Sequence, residues 1–277
     1  MAAAVFDSRR VYSAAAGRYA EASERMWGWA AAGLAAQIGD LPTRADVLDA
    51  GCGPGGVTVR LARLLGPDAR ITGVDVSDEM LARAREQACN WGVENVSFEC
   101  GDITALEACA LPGASFDAVT AGLSLFLAPD PTATAAGLWR RVRPGGRMAV
   151  SVVGEQFFCP AFDHLLLILT DAYGGEPPYI PWRRVDHPDT LRAVLEQAGI
   201  PAPELRVEIR QVPLDQPDDW RDIMLGTGIR SLLEGLDDDT RAEVERASID
   251  HVEEQRWRTL AFGVIFAWAD KAVGPLS

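Results

Sequence analysis

A glycine-rich turn near the start of the chain combines residue types that could do chemistry. The segment VLDAGCGPGG, residues 47–56, runs from an apolar strand through Asp49 into a turn with four glycines. Gly51, Gly53 and Gly56 have the GxGxxG spacing, which lets a backbone approach a bound ligand closely. A dinucleotide, a phosphate or S-adenosylmethionine (SAM) could each be held by such a turn, so the spacing alone leaves the ligand open.

Acidic residues at the ends of nearby strands narrow the choice. Asp75 ends the next strand, where an acid can bind ribose hydroxyls in NAD and SAM sites alike. Asp49 would repel a pyrophosphate but would attract the ammonium and sulfonium groups of SAM. Asp102 ends the third strand, where a carboxylate could accept a hydrogen bond from an adenine amino group. The acids together favour SAM over a dinucleotide.

Alternating strands and helices must position these residues. From about residue 46, short apolar strands alternate with helices, which predicts a mostly parallel sheet with helices on both faces. The last elements fit a terminal antiparallel hairpin, although the closing run RTLAFGVIFAWADK could be either a long strand or a buried helix. We therefore predict an α/β fold with a doubly wound, seven-stranded, Rossmann-like sheet and a helical cap.

The N-terminal segment, residues 1–42, is predicted to form a helical lid. This segment is rich in alanine and carries Tyr12, Tyr19 and Trp27 at spacings that share one helical face. Either a pair of helices packs on the core, or these aromatic side chains close over a ligand. The two readings are compatible.

The remainder, residues 43–277, is predicted to be the SAM-binding domain. Two insertions interrupt its alternation of strands and helices, at about 154–186 and 214–256. The first contains a proline-rich loop and the second is helical and acidic. Long insertions tend to be functional, so both are predicted to contribute to the cap.

Composition restricts the partners. The chain has 277 residues, 26 Lys and Arg against 40 Asp and Glu, and a formal net charge of −14, which disfavours a nucleic acid backbone. Its apolar runs have the length of buried elements rather than membrane spans. The five cysteines are odd in number and form no CxxC pair, so we predict reduced thiols in a cytoplasmic protein without a metal site. A small-molecule substrate and a monomer or homodimer are expected.

Five successive motifs carry a resemblance to a known family. The segments VLDAGCGPGG, GVDVSDEML, FECGDI, FDAVTAGLSLFLAPDP and RVRPGG resemble those of class I SAM-dependent methyltransferases. The small-molecule branch similar to ubiquinone/menaquinone-biosynthesis enzymes (methyltransferase type 11) is the nearest group. The resemblance covers residues 47–153 in detail and later elements in order only. It implies SAM as the cofactor and S-adenosyl-L-homocysteine (SAH) as its product, and it does not specify the acceptor.

The resemblance also implies which residues bind the cofactor. These are Tyr12, Tyr19, Asp49, Gly51, Gly53, Asp75, Val76, Met80, Asp102, Ile103 and Leu123. Val76 and Ile103 would sandwich adenine, and Leu123 would offer a backbone carbonyl to the methionine ammonium. Many relatives have one or two histidines where this chain has Leu125 and Phe126, so any base must come from elsewhere and this wall is apolar.

Candidate residues for the acceptor side come mainly from the first insertion. His164 and Tyr179 are candidate catalytic residues, because a base is needed if the nucleophile must lose a proton. His187 is interpreted as a helix cap and His251 as structural. The residues predicted to bind the substrate are Trp27, Phe126, Tyr173 and Trp182. Ordinary packing is the alternative role for the histidine and for the aromatic side chains of the loop.

The predicted function is SAM-dependent methyl transfer to a small, largely apolar metabolite, on oxygen, carbon or nitrogen. Secondary or quinone-like metabolism is the expected setting. The fold also serves other chemistry, so a SAM-binding cyclase and a protein with a purely structural SAM ligand stay open as alternatives. An NAD-dependent oxidoreductase is a third.

Overall fold

The computed structural model describes residues 7–175 and 179–273, except for the side chains of Ser8 and residues 14–25. The described residues form seven strands in one sheet. The strands are β1 (Asp46–Ala50), β2 (Arg70–Asp75), β3 (Val96–Cys100), β4 (Phe116–Gly122), β5 (Val142–Cys159), β6 (Glu204–Pro213) and β7 (Thr259–Asp270).

Helices surround this sheet and connect most of its strands. Those in the described residues are α1 (Ser8–Ala35), α2 (Gly56–Leu65), α3 (Asp78–Trp91), α4 (Pro131–Arg141), α5 (Ala161–Ala172), α6 (Pro188–Gln197), α7 (Asp219–Gly226), α8 (Arg230–Leu233) and α9 (Asp238–Glu254). Short 3-10 helices follow β3 and β4, at Ile103–Ala108 and Leu125–Leu127.

The strand order is β3-β2-β1-β4-β5-β7-β6, with β7 antiparallel to both of its neighbours and the other pairs parallel. This confirms the predicted seven-stranded fold with its antiparallel terminal hairpin. Asp49 on β1 lies opposite Gly73 on β2 and Thr120 on β4. The carboxyl ends of these three parallel strands therefore meet at one edge of the sheet, which is where open α/β sheets bind ligands.

Local sequence signals fix the ends of the helices beside this edge. The Ser77 hydroxyl accepts a hydrogen bond from the backbone N–H of Met80 and so caps α3. Asp130 caps α4 in the same way, with Pro131 at the first helical position. The His187 side chain accepts from the backbone N–H of Asp189 at the start of α6, which matches the predicted cap.

Three elements differ from the sequence predictions. The N-terminal segment is one continuous helix, α1, instead of a helix pair. The segment PTATAAGLWRRVRPGG predicts one helix that is closed by Pro144, Gly145 and Gly146, but α4 ends at Arg141 and VRPGG already belongs to β5. β5 continues to Cys159, because β7 is long enough to pair with it across two irregularities. The first insertion therefore leaves the sheet after residue 159, and the ambiguous C-terminal run is the strand β7.

The second half of α1 packs into the core. Met26 and Leu34 are 1% and 0% exposed, and Trp27 makes an edge-on contact with Phe262 of β7 at 4.8 Å between ring centroids. The first turns of α1 reach the carboxyl edge of the sheet, where the Ser13 hydroxyl lies 2.9 Å from that of Ser77, just after β2. In the part of the chain that is described, no helix is long and apolar enough to span a bilayer.

Candidate functional site

The glycine turn begins with a tight connection between β1 and β2. The backbone N–H groups of Gly51 and Cys52 both donate to the carbonyl of Val74, at 2.8 and 2.9 Å. Gly51 has φ +71°, and a Cβ there would lie 2.5 Å from the Cβ of Ser124. Glycine is therefore required at this position by both the backbone conformation and the packing.

Gly53 differs from Gly51 in what surrounds it. Its φ is +53°, yet no atom of the described residues lies within 4 Å of the position a Cβ would take. Its N–H donates to Asp75 Oδ2 at 2.8 Å, and Ser77 N–H donates to Asp75 Oδ1 at 3.0 Å. The turn therefore holds the Asp75 carboxylate in a fixed orientation and leaves space beside Gly53. Burial raises the pKa of Asp75, although these backbone hydrogen bonds act in the opposite direction.

A cavity of about 560 Å³ lies at this edge, between the strand ends and the first half of α1. Its volume is within the usual range for sites that bind small ligands. Ten of the residues predicted from the sequence line it. They are Tyr12, Trp27, Gly51, Gly53, Asp75, Val76, Met80, Asp102, Ile103 and Leu123.

Leu123 has an unusual backbone conformation at the cavity. Its φ is +50°, which is rare for a residue with a side chain, and its N–H donates to the carbonyl of Ser151 at 2.9 Å. Such outliers are concentrated at binding and active sites. The conformation therefore supports a functional role for the Leu123 backbone. The predicted hydrogen bond from its carbonyl to a ligand stays a prediction.

Asp102 caps a short helix as well as lining the cavity. Its Oδ1 accepts from both the backbone N–H and the hydroxyl of Thr104, at 2.8 and 2.7 Å, and so caps the 3-10 helix Ile103–Ala108. The residue is exposed and lines the cavity. The cap leaves Oδ2 as the oxygen with which Asp102 would bind a ligand.

Asp49 lies behind the cavity wall. It is fully buried, and its two oxygens accept from the hydroxyls of Thr58 and Thr120 at 2.6 and 2.9 Å. Burial raises its pKa to about 6, against the effect of these two hydrogen bonds, and the nearby Asp75 raises it further. The structure thus gives Asp49 contacts within the protein in place of the predicted contact with the methionine end of a ligand.

The first turns of α1 are tied to α3 and α8 across the cavity. The Ser13 hydroxyl lies 2.9 Å from that of Ser77 and donates to Glu79. Arg10 forms an ion pair with Glu234 at 3.2 Å. Arg10 is 69% exposed, so its ion pair is individually weak, whereas Ser77 is buried. Val11 is buried as well, so the first turns of α1 cover the cavity with one buried apolar side chain and a few polar contacts.

The structure does not bring the predicted catalytic residues to the cavity. The His164 ring stacks on that of His251, with centroids 3.5 Å apart, between α5 and α9. Burial and the adjacent His251 lower the pKa of His164. Tyr179 is 49% exposed, and the guanidinium of Arg184 lies 5.9 Å from its ring centre. Neither His164 nor Tyr179 lines the cavity.

Three predicted substrate residues also pack elsewhere, which corrects their expected position. The Tyr173 hydroxyl donates to the carbonyl of Leu232 at 2.8 Å. Trp182 is buried against Phe157, with ring centroids 4.7 Å apart. Phe126 is buried because the 3-10 helix Leu125–Leu127 turns its side chain inward. The predicted Tyr19 side chain lies outside the described part of the chain.

The apolar wall predicted at Leu125 and Phe126 is formed by the residues that follow them. Leu127, Ala128 and Pro129 line the cavity after the 3-10 turn. Sequence reasoning also missed several polar lining residues, among them Asp7, Arg9, Cys52, Arg60 and Gln87. Cys52 and Arg60 lie in or just after the glycine turn, so their position was a usable signal. Asp7, Arg9 and Gln87 reach the cavity only through tertiary packing.

Comparison with known proteins finds similarity to methyltransferases in the part of the chain that contains β1 to β5. Residues 43–165 match the family model described as "Methyltransferase domain". Nocamycin O-methyltransferase of Saccharothrix syringae is 38% identical over 106 residues, which cover 38% of this chain and 37% of that protein. The ubiquinone/menaquinone biosynthesis C-methyltransferase UbiE of Marinomonas sp. is 30% identical over 170 residues, covering 55% of this chain and 65% of that protein.

The chain thus spans less than two thirds of the length of these relatives. Among solved structures, the YcgJ protein from Bacillus subtilis superposes with a TM-score of 0.56 over 88% of this chain and 99% of that chain. Its sequence is 19% identical, so the likeness shows a shared fold. The matched residues 43–165 include the glycine turn and the ends of β1, β2, β3 and β4.

Proposed function

Because the chain belongs to the class I SAM-dependent methyltransferases, we propose that it transfers the methyl group of SAM to a small, largely apolar metabolite. One observation carries the proposal: the open position beside Gly53, next to a fixed Asp75 carboxylate, in a cavity of about 560 Å³. Other glycines, such as Gly92 at the end of α3, also have an open Cβ position, but Gly53 combines the open position with a place in the cavity lining.

The lining residues fit the parts of SAM. Asp75 would accept hydrogen bonds from the ribose hydroxyls, and Asp102 Oδ2 would accept one from the adenine amino group. Val76, Met80 and Ile103 supply the apolar surface that an adenine ring requires. Gly53 leaves room for the methionine end, and no metal is needed. Among the described residues, no group of three or more His, Cys, Asp or Glu could hold one.

When bound, SAM supplies a methyl group that a nucleophile can attack directly. The task of the chain is then to align the acceptor and to exclude water. Trp27, Leu127 and Pro129 are apolar lining residues that the fit to SAM does not use, so we propose that they hold the acceptor. We propose that the first half of α1, which contributes Tyr12 to the cavity lining, acts as the lid that was predicted within residues 1–42.

The lining also restricts how the acceptor can lose a proton. All three histidines of the chain are described, and none of them lines the cavity. Burial and the neighbouring carboxylates raise the pKa of the Cys52 thiol well above its usual value, so this thiol is a poor base precursor. We therefore propose an acceptor that needs no histidine: an anion such as a carboxylate or acidic enol, or an atom with a free lone pair such as a neutral amine.

The test combines cofactor retention with methyl transfer. Native mass spectrometry of freshly purified protein should show retained SAM or SAH. Incubation with methyl-labelled SAM should then transfer label to members of a panel of carboxylic acids, enols, phenols, quinones, amines and prenyl compounds. Turnover should follow the ionisation of the acceptor, with no additional step near pH 6.5 from a histidine. SAM binding without transfer to any compound would favour the non-methylating alternatives.

A further inference from the structure

The outer edge of the sheet has features that the proposed function does not use. β6 is the last strand, and within the described residues it pairs with β7 alone. Most of its residues are exposed, including Val207 at 45% and Ile209 at 51%. A long exposed edge with apolar side chains is a template for pairing with another strand, so proteins usually cover or shorten such edges.

Charges of both signs alternate along the other face of β6. Arg206 forms an ion pair with Glu208 at 2.8 Å, and Arg210 approaches the same carboxylate at 3.6 Å. Glu204 begins the strand on this face too, since alternate residues of a strand share a face. The order along the face is therefore negative, positive, negative, positive. An edge protected against pairing would more simply carry one sign, because like charges repel a second copy.

This order is complementary to itself in one register. In an antiparallel pair of strands, residues that lie opposite each other point to the same face of the sheet. When the two strands are copies related by a twofold axis perpendicular to the sheet, one residue must therefore lie opposite its own copy. With the axis at Val207, Arg206 lies opposite Glu208 of the second copy, and Glu204 lies opposite Arg210. On the apolar face, Leu205 then lies opposite Ile209.

Shifting the axis by one residue in either direction removes this match. An axis at Arg206 would place two arginines opposite each other and Glu204 opposite Glu208. An axis at Glu208 would place two glutamates opposite each other and Arg206 opposite Arg210. Like charges directly opposite each other destabilise strand pairing, whereas unlike charges and apolar pairs stabilise it. The charge order therefore selects the register centred on Val207.

We propose that β6 is a homodimerisation strand, and that two copies of this chain pair antiparallel about Val207 to extend the sheet across both. The bound partner is thus a second copy of the same chain. Edge pairing covers less area than a standard stable interface, so the dimer dissociates on dilution. The cavity lies at the carboxyl ends of β1, β2 and β4, away from this edge, so each copy keeps its own site.

Sedimentation velocity over a range of protein concentrations tests the proposal. At low ionic strength, the wild-type mass should rise from 29.8 kDa toward twice that value as concentration increases. Glu208→Arg and Arg206→Glu each place like charges opposite each other, so each should weaken association at least tenfold. Glu94→Arg makes the same charge change as Glu208→Arg at an exposed site beside β3, the opposite edge, and should leave the dimer intact.

A mixture of the two disrupting variants tests the proposed register most directly. An equimolar mixture of Arg206→Glu and Glu208→Arg chains places unlike charges opposite each other at both positions, so mixed dimers should form although neither variant dimerises alone. Circular dichroism checks that each variant is folded, and Val207→Lys replaces any variant that is not. A wild type that stays monomeric at every concentration overturns the proposal. A dimer that survives Glu208→Arg, or variants that fail to combine, overturns it as well.

Discussion

At the scale of single residues, Gly51 and Gly53 show that one motif contains two different constraints. Gly51 is required by packing, because a Cβ would collide with Ser124, whereas Gly53 faces open space. Both have a positive φ, so a substitution at either position strains the backbone. Both line the cavity, but only at Gly53 would a Cβ project into open space. The two effects can therefore be separated by a control that has the strain alone.

Gly92 supplies this control, since it ends α3 at φ +62° with no atom within 4 Å of its Cβ position, and it does not line the cavity. Gly53→Ala and Gly92→Ala should each lower the free energy of unfolding by about 1–2 kcal/mol. Only Gly53→Ala should also weaken SAM binding, by about tenfold or more, because the added methyl group occupies ligand space. Calorimetric titration and urea unfolding measure the two effects. Equal SAM affinities for both variants would assign Gly53 a purely structural role.

Asp49 makes the stability of the protein depend on pH. Its folded pKa of about 6 lies above the value of about 3.9 expected in the unfolded chain. The native state therefore binds this proton more tightly. The associated stabilisation is complete below pH 4 and is lost as the pH rises through 6. The whole effect amounts to about 3 kcal/mol, and about half of it falls between pH 5 and 8.

Asp49→Asn should remove this dependence, because the amide keeps hydrogen-bonding capacity toward Thr58 and Thr120 without a charge to ionise. Between pH 5 and 8, the wild type should lose about 1.4 kcal/mol of unfolding free energy relative to the variant. Urea unfolding of both proteins at several pH values measures the difference. Parallel pH profiles for the two proteins would show that Asp49 stays charged in the fold.

The residues that sequence could locate are those whose role is local. Gly51, Gly53, Asp75, Asp102 and Leu123 follow strand ends directly, so the strand pattern fixes their place at the cavity. Whether a carboxylate there faces the cavity or the interior depends on its neighbours in space. The Asp49 carboxylate points to the interior because it accepts hydrogen bonds from the hydroxyls of Thr58 and Thr120. Thr58 lies on α2 and Thr120 on β4, so these contacts depend on how separate elements pack.

At the scale of elements, the sequence was most informative where periodicity is clear. The alternation from β1 to α4 predicted strands and helices with small errors at their ends. The run of residues 259–270 was ambiguous, because β7 is buried on both faces and an apolar run without alternation has no period. The cap was the least predictable part. Which side of an insertion helix faces the cavity depends on packing, so the positions of His164, Tyr173 and Trp182 could not be read from local pattern.

The second half of α1 packs in the core, whereas its first turns are held by one buried side chain, Val11, and by polar contacts of Arg10 and Ser13, so we expect the first turns to move as a lid. Trypsin should cut the apo protein at Arg9 and Arg10 early in a time course. SAM or SAH should slow this cleavage by ordering the segment. Ser13→Ala removes the contacts to Ser77 and Glu79, so it should accelerate cleavage and weaken SAM binding several-fold. Mass spectrometry of the digest identifies the cleavage sites.

Ser97→Ala is the matched control, because the Ser97 hydroxyl donates to Thr72 at 3.2 Å between β2 and β3, away from the lid. It should leave the cleavage rate unchanged. Deleting residues 1–20 tests the same element more severely. The core residues Met26 and Leu34 remain in that variant, so the sheet should stay folded while SAM affinity and turnover fall. Full activity of the truncated protein would place the lid in the two insertions instead.

At the scale of the whole molecule, the net charge of −14 acts on a cofactor that is itself charged. SAM carries one net positive charge near neutral pH, from its ammonium and sulfonium groups against one carboxylate. SAH lacks the sulfonium and is neutral overall. An acidic protein attracts the first and has little long-range effect on the second, and dissolved salt screens such attraction over a Debye length of about 10 Å at 0.1 M.

The rate of SAM association should therefore fall about two- to fivefold as ionic strength rises from 0.02 to 0.5 M, while its dissociation rate changes little. SAH association should vary much less over the same range. Trp27 lines the cavity, so stopped-flow tryptophan fluorescence can follow both ligands in one protein. Local cations at the cavity, Arg9 and Arg60, oppose the field of the whole molecule. A SAM association rate that is independent of salt would mean that these two arginines, rather than the net charge, control the approach of the ligand.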